Sequence, residues 1–440
     1  MRKLKVLGNY ANAYNELKKD NNNAVAELFQ LNDLNKNDGV LSNSIITIKD
    51  NYAMFESKTK ASSRILEGFI PGYDATIISK LKNSGANIIA KMHLDELALG
   101  GTGTYSAYGL ITNPNDPKRY VGGSSSGSAA TFSENISFAI GSDTGDSVRL
   151  PASFIGKVGF KPSYGAISRY GLYAYASSLD TVAYFTHNVN DAIVVSEVLF
   201  GKDHNDMTSK DIEIKNVVKT KPNNIVALDF SDQIDPSVNK QFHNVIEHLR
   251  SNGVNVSIIK PNLKILRLIK PVYQIISFSE ASSNLSNLNG IAFGDWIEAD
   301  SWEDIIKKTR SKKFGQMVQE RLSLGSYFLY EENQKDIFIK AQKARRLIKN
   351  YYNEIMDGFD IMIYPASYGI APLFEESINN GVIDFVLTGS NLVGNPSITI
   401  PMGEKDNLSF SIAIDAKLYQ DQKLLGFSEY VECLIGEINE

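Results

Sequence analysis

A serine attacks an amide only when a base takes its proton, so serines held beside a base are where this sequence could do chemistry. Two glycine-rich loops carry such serines. The first reads Gly122-Gly123-Ser124-Ser125-Ser126-Gly127-Ser128, followed by Ala129 and Ala130. The second runs from Gly141-Ser142-Asp143-Thr144-Gly145-Asp146-Ser147 through Val148, Arg149, Leu150 and Pro151 to Ser153. Glycine is placed this way where the backbone takes conformations a side chain forbids, or comes very close to something. A flexible linker fits poorly, because apolar segments continue on both sides of the first loop. A phosphate-binding P-loop would end in Gly-Lys-Ser/Thr, and no such lysine is present. Gly101-Thr102-Gly103 starts like a dinucleotide fingerprint but lacks the third glycine and a following helix.

The base is harder to find. The chain has five histidines, and His187, His204, His243 and His248 fall in stretches that look like surface or helix faces. A Ser-His-Asp triad needs a better placed imidazole. Lys49 closes an apolar, β-branched run, where burial would disfavour the ammonium and free the amine to act as a general base. A solvated charge at a strand end is the other reading of the same residue. His93 and Glu96 have the spacing of a metal pair on a helix. No third ligand lies nearby, so a loop or helix start packed beneath a site is the alternative.

The elements that must position these residues alternate. Ser44 to Lys49 and Asn87 to Lys91 read as strands, with a helix from Asp74, its N-cap, to Ser84, ended by Gly85. Asn224 to Phe230 and Val254 to Ile259 are strands around a helix from Pro236 to Ser251, whose Val238, Phe242, Val245 and Leu249 share one face. A helix over 334–356 leads into a strand from Asp360 to Tyr364, and Asp384 to Val393 leads into Ser397 to Pro401. Residues 11–34 read as a polar helical segment, so 1–40 forms an N-terminal helical cap. Residues from about 262 to 357 form a mainly helical insertion, and 203–223 a polar loop. The rhythm predicts one large α/β domain over 1–440, a central twisted mixed sheet covered by helices on both faces.

Composition narrows the class. Of 440 residues, 43% are hydrophobic and 22% charged, as in an ordinary globular protein. A formal net charge of −5 argues against a surface devoted to nucleic acid. Cys433 is the single cysteine, which excludes an internal disulfide framework and a cysteine metal cluster and suits a reducing cytoplasm. Neither a signal peptide nor a transmembrane run is expected.

Together, the two loops, Ile48-Lys49-Asp50-Asn51 and Gly159-Phe160-Lys161-Pro162-Ser163-Tyr164-Gly165 resemble the amidase signature family. Four further stretches resemble one branch of it, the A subunits of glutamyl-tRNA(Gln)/aspartyl-tRNA(Asn) amidotransferases. They are Leu66 to Thr76, Ser168 to Asp180, Ser279 to Leu285 and Arg321 to Tyr327, and the similarity covers residues 40–435. The resemblance implies a triad of Ser147 as nucleophile, Ser124 as a bridging serine after a cis peptide, and Lys49 as base. It implies a γ-glutamyl ester on Ser147, with backbone N–H groups of Thr144, Gly145, Asp146 and Ser147 facing the oxyanion. For glutamine it implies Arg321 at the α-carboxylate, Asp384 at the α-ammonium and Tyr273 in the pocket. It implies no metal and no cofactor in this chain. ATP and Mg²⁺ would belong to a partner B subunit that also carries most of the tRNA contact, with a small C subunit completing a heterotrimer. A stand-alone amidase of small carboxamides and a catalytically weakened scaffold subunit are the competing expectations. The chain departs from the family pattern at Asp146 and Ser126, where glycine is usual, at Ala183-Tyr184, and at Phe410-Ser411-Ile412-Ala413. The spacing from Ser124 to Ser147 is one residue short.

Overall fold

Short β-branched runs build one sheet through the whole molecule. The computed structural model describes residues 2–30, 34–376 and 380–439. Its strands are β1 (Val25–Leu28), β2 (Ile45–Lys49), β3 (Asn87–Met92), β4 (Phe138–Asp143), β5 (Val158–Lys161), β6 (Thr181–Thr186), β7 (Asn224–Leu228), β8 (Asn255–Ile259), β9 (Ile361–Pro365), β10 (Ser397–Lys405) and β11 (Leu408–Asp415). They join in the order β1-β3-β2-β4-β6-β5-β10-β11-β9-β7-β8. The sheet is mixed. β2 pairs in parallel with β3 and β4, and β7 with β8 and β9, while the other pairings are antiparallel.

All five residues of β2 are buried, as are all six of β3 and of β4. A strand covered on both faces needs no polar alternation, which is why Ile45-Ile46-Thr47-Ile48 reads as a continuous run. Ile46 and Ile48 belong to the main core, and Ile45 to a second cluster with Ile89, Val148 and Phe185. Helices cover the sheet, among them Pro236–Ser251, Val189–Leu199 and Asp421–Asn439. Residues 263–355 carry the helices Ile269–Asn284, Trp302–Lys313, Gln316–Leu329 and Phe338–Ile355, besides shorter turns. Among the described residues no helix is long and apolar enough to cross a membrane.

Two local expectations are corrected. The helix expected over 11–34 spans only Tyr10–Lys18, and Val25–Leu28 pairs with β3 as an edge strand. Asp20 ends it: its carboxylate accepts the N–H groups of Asn22, Ala24 and Val25 at 2.8–3.1 Å. Such side-chain bonds compete with the helical ladder. Asp74 is no N-cap, because the helix runs Thr76–Asn83 from Ala75. Its carboxylate instead accepts from Phe55 N–H at 2.7 Å and pairs with Lys82 at 2.7 Å.

Candidate active site

Parallel pairing sets Ile48 of β2 beside Ile140 of β4, so the carboxyl ends of both strands open on one place. Carboxyl ends of strands are where α/β sheets hold ligands. Lys49 ends β2 there and is completely buried. Its Nζ lies 2.8 Å from Ser124 Oγ and donates to Ser142 Oγ at 2.9 Å. Asn51 Nδ2 also donates to Ser142 Oγ, at 3.0 Å. Burial pushes the Lys49 ammonium down to about 7, against the upward pull of Asp95, Asp143 and Asp180. The neutral amine is therefore well populated at neutral pH.

The Gly123–Ser124 peptide is cis. Asp95 braces it: its own N–H donates to Ser124 O at 3.2 Å. Its carboxylate accepts from the N–H groups of Thr102, Gly103 and Tyr105 at 2.9–3.1 Å. A side chain at Gly123 would collide with that carboxylate, so this position requires glycine. The two loops are stitched together by Ser125 N–H donating to Ser147 O at 3.2 Å. Ser147 is 4% exposed, and among the described residues its hydroxyl makes no hydrogen bond. The N–H groups of Gly145, Asp146 and Ser147 likewise find no acceptor there. Three free donors beside an unengaged serine are the equipment for stabilising an oxyanion.

What holds the second loop in this shape is the buried pair Arg149–Asp143, 2.9 Å apart. Asp143 Oδ2 also takes the N–H of Val148 at 3.1 Å. Arg149 donates to Gly145 O at 2.7 Å and reaches across the fold to Leu387 O, Ser390 Oγ, Asn391 Oδ1 and Ser397 Oγ at 2.6–3.0 Å. Burial raises the Asp143 carboxyl, but Arg149 more than offsets it and leaves Asp143 below the usual carboxylate range. The Thr144 hydroxyl donates to Asp180 at 2.7 Å, and its N–H, like those of residues 145–147, finds no acceptor among the described residues.

A cavity of about 750 Å³ borders both loops, with Gly122, Gly145 and Asp146 on its wall. Tyr273, Arg321 and Asp384 line it as well. Arg321 donates to Tyr175 OH at 3.3 Å and stacks on the Phe278 ring at 5.0 Å, but has no carboxylate partner among the described residues. Asp384 is held by the backbone and side-chain N–H groups of Asn380 at 2.7 and 3.0 Å, and no cation pairs with it there. The wall thus offers an unneutralised guanidinium and an unneutralised carboxylate, the complement of a zwitterion. Every site residue expected from the sequence lies at this place, at the end of β2, in the loops or on the wall.

His93 and Glu96 do not converge on a metal. His93 Nδ1 is 2.8 Å from Ser62 Oγ and its ring stacks on Tyr108 at 4.5 Å. Glu96, raised to about 7 by burial, accepts from Gly315 N–H at 2.8 Å. Gly315 precedes the helix that carries Arg321, so Glu96 docks that helix to the site. No group of three or more metal-ligating side chains occurs among the described residues. Sequence reasoning assigned no role to Asp95, Ser142, Asp143 or Arg149. The signal available was the Asp143…Arg149 spacing inside an already suspect loop.

The family model described as Amidase matches residues 1–425. The A subunit of the glutamyl-tRNA(Gln) amidotransferase of Sulfolobus acidocaldarius is 37% identical over 409 residues, covering 90% of this chain and 85% of that one. The corresponding A subunit of Campylobacter hominis is 38% identical over 400 residues, 89% and 88% of the two chains. Among solved structures, the A subunit of the glutamyl-tRNA(Gln) amidotransferase of Thermotoga maritima superposes with a TM-score of 0.80 at 30% identity, covering 96% of this chain and 90% of that one.

Proposed function

The chain belongs to the amidase family, and we propose that it is the glutamine-hydrolysing A subunit of a tRNA-dependent amidotransferase. One observation carries this reading: the loop leading into Ser147, joined to the Ser124 loop and so to Lys49, borders a cavity wall on which Arg321 and Asp384 have no ion-pair partner among the described residues. Glutamine is an amide whose far end bears a carboxylate and an ammonium, and those two groups match the two side chains.

In the reaction, Arg321 and Asp384 orient glutamine with its side-chain amide over Ser147. Neutral Lys49 takes a proton from Ser124 as Ser124 takes the proton of Ser147, and Ser147 Oγ bonds to the amide carbon. The N–H groups of Gly145, Asp146 and Ser147 hold the oxyanion, each donor contributing about 3–4 kcal/mol to the barrier reduction. As the tetrahedral species collapses, the C–N bond breaks and the proton returns through Ser124 to the nitrogen, which leaves as ammonia. Water then cleaves the γ-glutamyl ester by the same proton route, releasing glutamate and free Ser147. Ammonia passes to a B subunit that binds ATP, Mg²⁺ and Glu-tRNA(Gln), with a C subunit in the assembly, and the complex works in the cytoplasm.

Two expected results test this. Arg321→Ala in the assembled complex should raise KM for glutamine about 100-fold, the loss of a charge-assisted clamp worth about 2–3 kcal/mol. Hydrolysis of propionamide, which has no carboxylate, should be unaltered. An unaltered KM for glutamine in Arg321→Ala would indicate a stand-alone amidase that does not read the carboxylate. The second result concerns pH. Lys49 acts unprotonated, so kcat should fall about tenfold per pH unit below about 7 and level off above it. A kcat that stays flat down to about pH 5 would remove Lys49 as the base.

A further inference from the structure

Asp146 lies on the cavity wall directly before the nucleophile Ser147, and it shares that wall with Asp384. Among the described residues its carboxylate makes no hydrogen bond and no ion pair. The charged and titratable groups facing it are Asp143, Arg149, Asp384 and Tyr273. Arg149 is no partner, because its N–H groups are taken by Asp143, Gly145 O, Leu387 O, Ser390, Asn391 and Ser397. Asp143 is spent on Arg149. Among the described residues Asp146 and Asp384 therefore stand as two carboxylates without an ion-pair partner, on a wall that also carries Arg321, itself without an anion, and Lys270, which lies over the Phe385 ring at 4.9 Å. A glycine at this position would present no charge.

We propose that Asp146 is a specificity-determining residue that holds the substrate's ammonium together with Asp384, so that the site takes amides bearing a free amino group and rejects neutral or N-acylated ones. This rests on the glutamine reading and adds a second anionic contact to it. The pairing has a proton linkage. Burial, then Asp143 and Asp384, push the Asp146 carboxyl up to about 7, with Arg149 pulling the other way. Below that value Asp146 holds a proton and attracts the ammonium weakly. Above it the carboxylate is ionised and pairs with the ammonium directly; at and below it, binding of the ammonium lowers the carboxyl and releases its proton.

The test compares wild type, Asp146→Asn and Asp146→Gly in the assembled complex, with glutamine and Nα-acetylglutamine as substrates. In wild type, KM for glutamine should climb as pH falls below about 7. Asp146→Asn should raise KM for glutamine about tenfold at about pH 8, flatten that climb, and shrink by the same factor the preference in kcat/KM for glutamine over the poorly accepted Nα-acetylglutamine. Asp146→Gly should give the same pattern, which separates charge from shape. Unchanged KM for glutamine in both variants overturns the proposal while the glutamine reading stands. Equal rises for both substrates also overturn it, by showing a structural role. A wild-type complex that hydrolyses no glutamine overturns the underlying reading and this inference together.

Discussion

Ser147→Ala removes glutamine hydrolysis from the assembled complex by a factor on the order of 10⁴ to 10⁶, as loss of a nucleophile acting within a unit does. Free ammonia, supplied in place of glutamine, restores formation of the amidated tRNA to the wild-type rate. The argument is geometric. Ser147 is 4% exposed, and among the described residues its hydroxyl makes no hydrogen bond, while Ser124 is already within 2.8 Å of Lys49. The replacement removes one small oxygen, leaving the brace of Arg149 intact. Two measurements decide the point: ammonia release from glutamine, and amidation with either nitrogen source. Failure of ammonia to rescue would break the division of labour between subunits. A reactive glutamine analogue should label wild type at Ser147 and leave the variant unlabelled. No adduct on wild type would identify a scaffold subunit instead.

Arg149→Met lowers stability by about 3–5 kcal/mol, because it strands the Asp143 carboxylate in the interior without a partner. For a chain of 440 residues that corresponds to a fall in Tm of about 3–5 °C. Both side chains have 0% exposure, so water cannot compensate for the lost contacts. The double variant Asp143→Asn, Arg149→Met should recover part of the loss, since the uncompensated charge is gone. Calorimetry of the three variants measures this; a single variant as stable as wild type would show that the pair is not what shapes the loop. Activity should fall with Arg149→Met even where the fold survives, because Gly145 O loses the guanidinium that aims its peptide.

Much of the site was legible because its residue types are improbable elsewhere. Glycines around serines at 122–128 and 141–147, and a lysine closing an apolar run, are costly arrangements unless the backbone and the amine are used. The α/β class was legible because β2 and β3 are buried on both faces and therefore apolar throughout. The braces were not. Asp143 and Arg149 look like ordinary charges in a sequence, and partners 238–248 positions away leave no local trace. Glu96 resembles half of a metal pair because spacing alone cannot tell a ligand from an acceptor for Gly315 N–H. The hairpin of β10 and β11 was missed beyond Pro401, although Asp406 and Asn407 both take the left-handed conformation that a two-residue turn requires. That pair of residues was the signal. The N-terminal helix was over-extended because polar residues suit a helix surface and a loop equally, and only the bonds of Asp20 decide between them.

The reach of Arg149 has a consequence in time. Lys49, Ser124 and Ser147 all lie in the first third of the chain, and a ribosome delivers them early. Their loop, however, closes on Leu387, Ser390, Asn391 and Ser397, which emerge only in the last eighth of the chain. A nascent chain interrupted anywhere before those residues carries the reactive groups without the shape that makes them reactive. Unfinished copies are thereby kept from consuming glutamine and shedding ammonia with no acceptor at hand.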